Sequence, residues 1–365
     1  MPPMRAAHIA LASACLLAGG ALLAGCGGGS DTNGSSSTSG ETAKSRPAPP
    51  ASAFQGTFGR SLGEVIRETD AHSELKVEPA AIVFYKGENR YPFGVMERDG
   101  EQIDDAEVAL YIAKVPSAKA SSGDAEEGPR KKGALARARQ EVLNAPAVGP
   151  FPARIETLAT EPRFQAETTL GDPDAANVVY SAEIDFPSNG EWRVAAVLKE
   201  GEETSAKLLP NVEVGEFTSI PRPGRPAPRI HTPTAEDVGG DLSKITTRIP
   251  PDALNKVDYA EALGKEPILL LFATPKFCQS RVCGPVVDVA EQAEREFGGQ
   301  AAFIHMEIYN DNDPSKGVRS QVRAFSLPSE PWLFAIDREG IVSAAIEGPF
   351  GMELIDSVTN RVVGE

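Results

Sequence analysis

Cys278 and Cys283 are the residues of this chain best equipped for chemistry. They stand five positions apart in Phe272-Ala273-Thr274-Pro275-Lys276-Phe277-Cys278-Gln279-Ser280-Arg281-Val282-Cys283-Gly284-Pro285. Two thiols this close can form a disulfide, exchange it with another protein, or bind a soft metal ion. Geometry narrows the options. On a continuous helix, residues i and i+5 have Cα atoms beyond the roughly 7 Å a disulfide tolerates and point about 140° apart. If the sulfurs bond, part of 279–282 must therefore be non-helical.

The flanking sequence has to position the pair. Ile268-Leu269-Leu270-Leu271-Phe272-Ala273 is an unbroken apolar run that reads as a buried strand. After the loop, Pro285 suits the first turn of a helix, which does not need the missing N–H. Val286, Val289, Ala290, Ala293 and Phe297 then recur at the spacing of one buried helical face, and Gly298-Gly299 supplies the stop. The thiols accordingly lie near a helix N-terminus, where the dipole and unpaired N–H groups favour a thiolate. Downstream, Trp332-Leu333-Phe334-Ala335-Ile336, directly after Pro331, reads as a strand that Arg338-Glu339-Gly340 turns into a second strand at 341–346.

The cysteine segment and the Pro331–Gly340 segment together resemble the thioredoxin superfamily, in a variant with four residues between the cysteines instead of two. The resemblance covers the last third of the chain. It implies an α/β thioredoxin-like domain at 248–365, thiol–disulfide exchange on exported proteins, and no cofactor. It also implies roles. Counting to the aromatic that ends the helix makes Cys283 the resolving thiol and Cys278 the nucleophile. A rival alignment reads Cys283-Gly284-Pro285-Val286 as a Cys-Gly-Pro-Cys motif with its second cysteine lost, which makes Cys283 the attacker. Pro331 is the expected cis-proline beside the sulfurs, with Pro328 the other candidate. Glu330, just before it, would bring negative charge to the thiolate and raise its pKa, favouring a reductant or isomerase. The family's buried acid has no counterpart near Phe272. Asp288 reads as a partner of the helix dipole, and Lys276 as exposed. Two other readings compete: a fixed disulfide bracing a non-catalytic binding protein, and a copper site with His305 of the strand at 301–308 as third ligand.

The N-terminal segment leads us to expect this chemistry outside the cytoplasm. Arg5 followed by an apolar stretch to about Ala24 reads as a signal segment over 1–25. Leu23-Ala24-Gly25-Cys26 resembles the bacterial lipobox, which implies that Cys26 is lipidated and anchors the protein to the outer face of the cell membrane. Residues 26–52 are rich in Gly, Ser, Thr and Pro and read as a flexible tether. Of four cysteines, only Cys278 and Cys283 then remain as thiols, in a compartment without a reducing glutathione pool. Their expected partners are exported protein thiols or disulfides and a membrane or extracytoplasmic redox protein. The net charge of −16, with 36 basic against 52 acidic residues, argues against nucleic acid.

Residues 53–214 carry the alternation of short strands. Tyr180, Ala182, Ile184 and Phe186, the turn Ser188-Asn189-Gly190, then Trp192, Val194, Ala196 and Leu198 read as a hairpin. Residues 82–85, 91–96 and 108–112 read as further strands. Tyr91-Pro92-Phe93-Gly94-Val95-Met96-Glu97-Arg98-Asp99-Gly100 is similar to immunoglobulin-like domains, which implies an all-β sandwich. An insertion at 115–150, with Arg130-Lys131-Lys132 and a short helical pattern through Val142, reads as a solvated connection. Residues 215–247, studded with five prolines, read as an extended linker carrying an exposed His231. The whole is a multidomain chain: sandwich, linker, thioredoxin-like domain.

Overall fold

The computed structural model describes residues 43–69, 75–116, 140–201, 203–278 and 280–364. Cys26, the signal segment and most of the insertion lie outside them. Among the described residues no helix is long and apolar enough to cross a membrane.

The N-terminal half contains β1 (Lys76–Pro79), β2 (Gly87–Met96), β3 (Glu107–Lys114), β4 (Val148–Thr157), β5 (Val178–Phe186), β6 (Gly190–Glu200), β7 (Glu203–Leu208) and β8 (Val212–Val214). All ladder pairs are antiparallel, in the order β1-β2-β5-β4-β3-β6-β7, with β8 also on β6. The two separate sheets of an immunoglobulin-like sandwich do not form. Instead β4 joins the halves: Val148, Phe151 and Pro152 pair with β3, while Ala153 to Thr157 pair with β5. A bridge from Phe84 to Val214 brings the far ends together, so the sheet is nearly closed like a barrel. The alternation expected of β5 and β6 is present, but the two are not a hairpin, because neither pairs with the other. Their apolar faces meet across the core instead, with the Phe186 and Trp192 rings 5.9 Å apart. Alternation specifies which side faces inward and is silent on which edge is paired.

Outside this core, α1 (Leu62–Arg67) covers Ala109, Tyr111, Ala113, Ala195 and Val197 on the outer face of β3 and β6. Its start is a capping box formed by Ser61 and Glu64. The expected tether is not free along its whole length: Arg46 bridges to Ile155, and Ala43 packs on the barrel core. Residues 140–143 are the described end of the expected helical pattern, and Val142 is buried.

The C-terminal sheet has the order β10 (Ala302–Met306), β9 (Ile268–Phe272), β11 (Trp332–Ile336), β12 (Val342–Glu347). β10 and β9 are parallel and the other neighbours antiparallel, giving the mixed sheet that the resemblance implies. After a short α2 (Glu167–Leu170) in an excursion from the barrel comes α3 (Tyr259–Ala262), and then α4 (Cys283–Phe297), α5 (Ser320–Ala324) and α6 (Met352–Gly364). α4 and α6 cover one face through Val286, Ala290, Ile355 and Val358; Tyr259, Val322 and Phe325 cover the other. Every residue of β9, β10 and β11 is buried, as a sheet covered on both faces requires.

The proline-rich linker is not a spacer. Gly224 N–H donates to the Val342 carbonyl, Val342 N–H to the Arg225 carbonyl, and Ala227 N–H to the Gly340 carbonyl, so it lies along the edge of β12. Prolines are tolerated there because the outer side of an edge needs no donor. The two halves share further polar contacts. Glu347 accepts from the N–H groups of Ile82 and Val83 at 3.0 and 2.9 Å, and Arg90 donates to the Pro349 carbonyl at 2.6 Å. Gly348 fits between them at φ +82°, where an added Cβ would sit 2.4 Å from the Ala80 carbonyl oxygen. Gly348→Ala should cost about 2–5 kcal/mol, strain plus overlap, whereas Gly299→Ala, at φ +81° in open space, should cost only about 1–2. Equal losses in urea unfolding would show that the Ala80 contact does not hold the halves together.

Candidate active site

β9 ends at Phe272, the chain turns through residues 274–278, and α4 begins at Cys283, two residues before the expected proline start. Phe277 and Cys278 N–H both donate to the Thr274 carbonyl, at 3.2 and 3.1 Å, which shapes the turn. Cys278 and Cys283 are joined as a disulfide, with Cα atoms 5.9 Å apart, inside the range such bonds require. The departure from helical geometry that the spacing demanded occurs at Arg281, whose φ is +56°.

The two sulfurs differ in access. Cys283 is fully buried among Leu271, Ala273, Val286 and Val287, whereas Cys278 is half-buried, with its sulfur 3.3 Å from the Ser280 hydroxyl. Pro331 follows a cis bond; Pro328 does not. In the antiparallel register Trp332 faces Phe272, so Pro331 comes one step further, at the end of the sheet where β9 enters the cysteine loop. Glu330 has its carboxyl pushed above the usual range by burial. It lies close enough to raise Tyr309, after burial the largest influence on that phenol, and the Tyr309 ring is 6.2 Å from Phe277, the neighbour of Cys278.

The sequence singles out His305 and Asp288 but gives no sign of the partners buried with them, Asp252, Glu307 and Arg248. His305 and Asp252 form a fully buried pair, Nδ1 to carboxylate 2.9 Å, and His305 Nε2 is 3.2 Å from the Ala273 carbonyl. Both ring nitrogens face acceptors, so the ring satisfies them as a doubly protonated cation. Burial opposes that charge, yet Asp252 raises His305 overall; burial would likewise raise Asp252, yet His305 holds it down at about 2. With both nitrogens engaged, His305 has none left for copper, and among the described residues no cluster suits a metal. Glu307 adds a second anchor, accepting from Thr247 N–H at 2.7 Å, while Thr247 Oγ1 accepts from Lys276 N–H at 3.2 Å. Asp288, near the N-terminal end of α4, has a partner besides the helix dipole. It is buried against Arg248 at 2.9 Å, accepts from Ala166 N–H, and Arg248 also donates to the Phe164 carbonyl, tying α4 to the barrel. Burial raises its carboxyl pKa and Arg248 opposes the shift.

A groove of about 520 Å³ is lined by barrel residues Glu78, Phe93, Met96 and Gln102 and by Ser280 and Val282 of the loop.

No family model matches the chain, and no curated protein matches it. Eight chains of solved structures do. One is a thiol:disulfide interchange protein, thioredoxin family protein, from Chlorobium tepidum TLS, 19% identical, with the match covering 39% of this chain and 98% of that one at a TM-score of 0.28.

The buried pair should leave a pH signature. Asp252, depressed when folded, contributes stability that is complete above about pH 4 and lost as the pH falls towards 2. His305, raised when folded, contributes stability that is complete below about pH 6.5 and lost as the pH climbs through its folded value. Asp252→Asn should cost about 3–5 kcal/mol at pH 6 and flatten both limbs. Urea titrations across pH would show it; unchanged limbs would remove His305–Asp252 as their source.

Proposed function

We propose that this chain is a thiol–disulfide oxidoreductase, held by a lipid on Cys26 at the outer face of the cell membrane and acting on exported proteins. The observation that carries the reading is the bonded pair itself: a half-buried Cys278 and a fully buried Cys283, the first residue of α4, with cis-Pro331 at the same end of the sheet. Dipole and unpaired N–H groups at that helix start favour thiolate over thiol.

In the reducing direction, the Cys278 thiolate attacks one sulfur of a substrate disulfide. That bond breaks, the departing substrate sulfur takes up a proton, and a mixed disulfide remains. Cys283 then gives up its proton and attacks the Cys278 sulfur; the 278–283 bond forms and the second substrate sulfur leaves as a thiol. Two electrons have passed to the substrate, and a membrane or extracytoplasmic redox partner restores the dithiol. Pro331 would present backbone to an extended substrate, and Glu330 would disfavour the thiolate and so favour reduction or isomerisation over oxidation.

A second reading, a binding protein braced by a fixed disulfide, draws on the complete burial of Cys283. Trapping separates them. Cys283→Ser should accumulate mixed disulfides with exported proteins through Cys278, and Cys278→Ser should not; no adduct in either variant would leave the braced scaffold. Glu330→Gln should make the reduction potential less negative, since the thiolate of the reduced form loses a repelling charge, and a potential unchanged within error would remove Glu330 from the chemistry.

A further inference from the structure

The four-residue spacer creates a problem that the thiol loop does not solve by itself. A helix through it would carry the two Cα atoms too far apart, and the observed turn places Arg281 in the left-handed region, which a long β-carbon-bearing side chain disfavours. Contacts outside the loop hold it there. The Arg281 guanidinium donates to Asp172 at 3.0 Å and to Asp174, and the Arg281 carbonyl accepts from Ala176 N–H at 3.4 Å. All three partners belong to one short stretch of the barrel excursion. That stretch is itself braced: Asp174 N–H donates to the Asp172 carboxylate at 3.1 Å, and Asn177 N–H to Gln102 at 2.7 Å. On the helix side, a Cβ at Gly284 would come 2.8 Å from the Thr169 hydroxyl, so the same excursion abuts the loop on both sides of Cys283.

We infer that Arg281 is a positioning residue for the thiol pair: gripped by Asp172 and Asp174, it holds the turn in which the two sulfurs can bond and so sets their thiol–disulfide equilibrium. The barrel is thereby part of the redox site. The grip favours the disulfide, because only that form obliges residues 278 and 283 to stay close; in the dithiol the turn is free to relax. This rests on the redox reading above for its biological use, though the equilibrium is measurable either way.

The test equilibrates the full chain with glutathione, protein disulfide plus two glutathione thiols giving protein dithiol plus one glutathione disulfide, and with dithiothreitol where the pair is too stable for glutathione. Arg281→Ala should shift the equilibrium three- to tenfold towards the dithiol, about 14–30 mV for this two-electron couple. Asp172→Asn with Asp174→Asn should shift it equally and leaves the loop sequence intact should the arginine variant fail to fold. All three substitutions together should add nothing further, because they remove one contact. Arg281→Lys should recover part of the shift, keeping the charge without the planar fork. Equilibria within twofold of the parent, or shifts that simply add, would overturn the inference. A parent pair that yields only to dithiothreitol and forms no mixed disulfides would sink the oxidoreductase reading while the comparison of variants still decides the role of Arg281.

Discussion

Two residues five apart cannot share a disulfide on a helix, so everything at this site depends on a turn that ends the strand, bends back, and starts the helix only at the second sulfur. The turn is held from two directions. Beneath it, Glu307 and Thr247 fix Lys276, and the His305–Asp252 pair sits against the carbonyl of Ala273. Beside it, the barrel excursion takes hold of Arg281 and, through Arg248 and Asp288, of the first turns of α4. The C-terminal sheet supplies the platform, but the shape of the loop belongs to both halves of the molecule.

Those contacts explain why so many charges are buried where an apolar core would be simpler. Arg248, Asp288, His305, Asp252 and Glu307 are all sealed from water. Buried ion pairs seldom add net stability over apolar packing, but they are costly to break and tolerate only one arrangement. Here the Arg248–Asp288 and His305–Asp252 pairs each join segments distant in sequence, and Glu307 reaches back to Thr247, so together they fix register between those elements. The groove lined by Ser280 and Val282 has its other wall on the barrel, at Phe93, Met96 and Gln102.

The C-terminal elements were legible because their signals are local. The apolar run of β9, the i, i+3, i+4 spacing from Val286 and the Arg338-Glu339-Gly340 turn each carry their meaning within a dozen residues, and the structure places a strand, a helix and a hairpin there. The misreadings share one cause, partners far away in the chain. β5 and β6 alternate correctly yet pair with β2, β4 and β3 rather than with each other. The proline-rich stretch looks like a spacer until the edge of β12 is available to receive it. Asp288 reads as a helix-dipole residue, and its ion pair with Arg248, 40 positions upstream, has no local signal. His305 offered one usable hint, a histidine in the middle of an apolar strand, but its partner at Asp252 has no local signature.

Thiol–disulfide exchange at this site requires one accessible sulfur backed by one buried sulfur within bonding reach. The most direct measurement is the reaction of the reduced, folded protein with a coloured aromatic disulfide at neutral pH. A fast first release of aromatic thiolate, from attack by Cys278, should be followed by a second release as Cys283 closes the ring, two per protein in all, with Cys283→Ser stopping after the first. Two sulfurs that stay silent until the protein is unfolded, or that react independently at the rate of an unfolded chain, would contradict it.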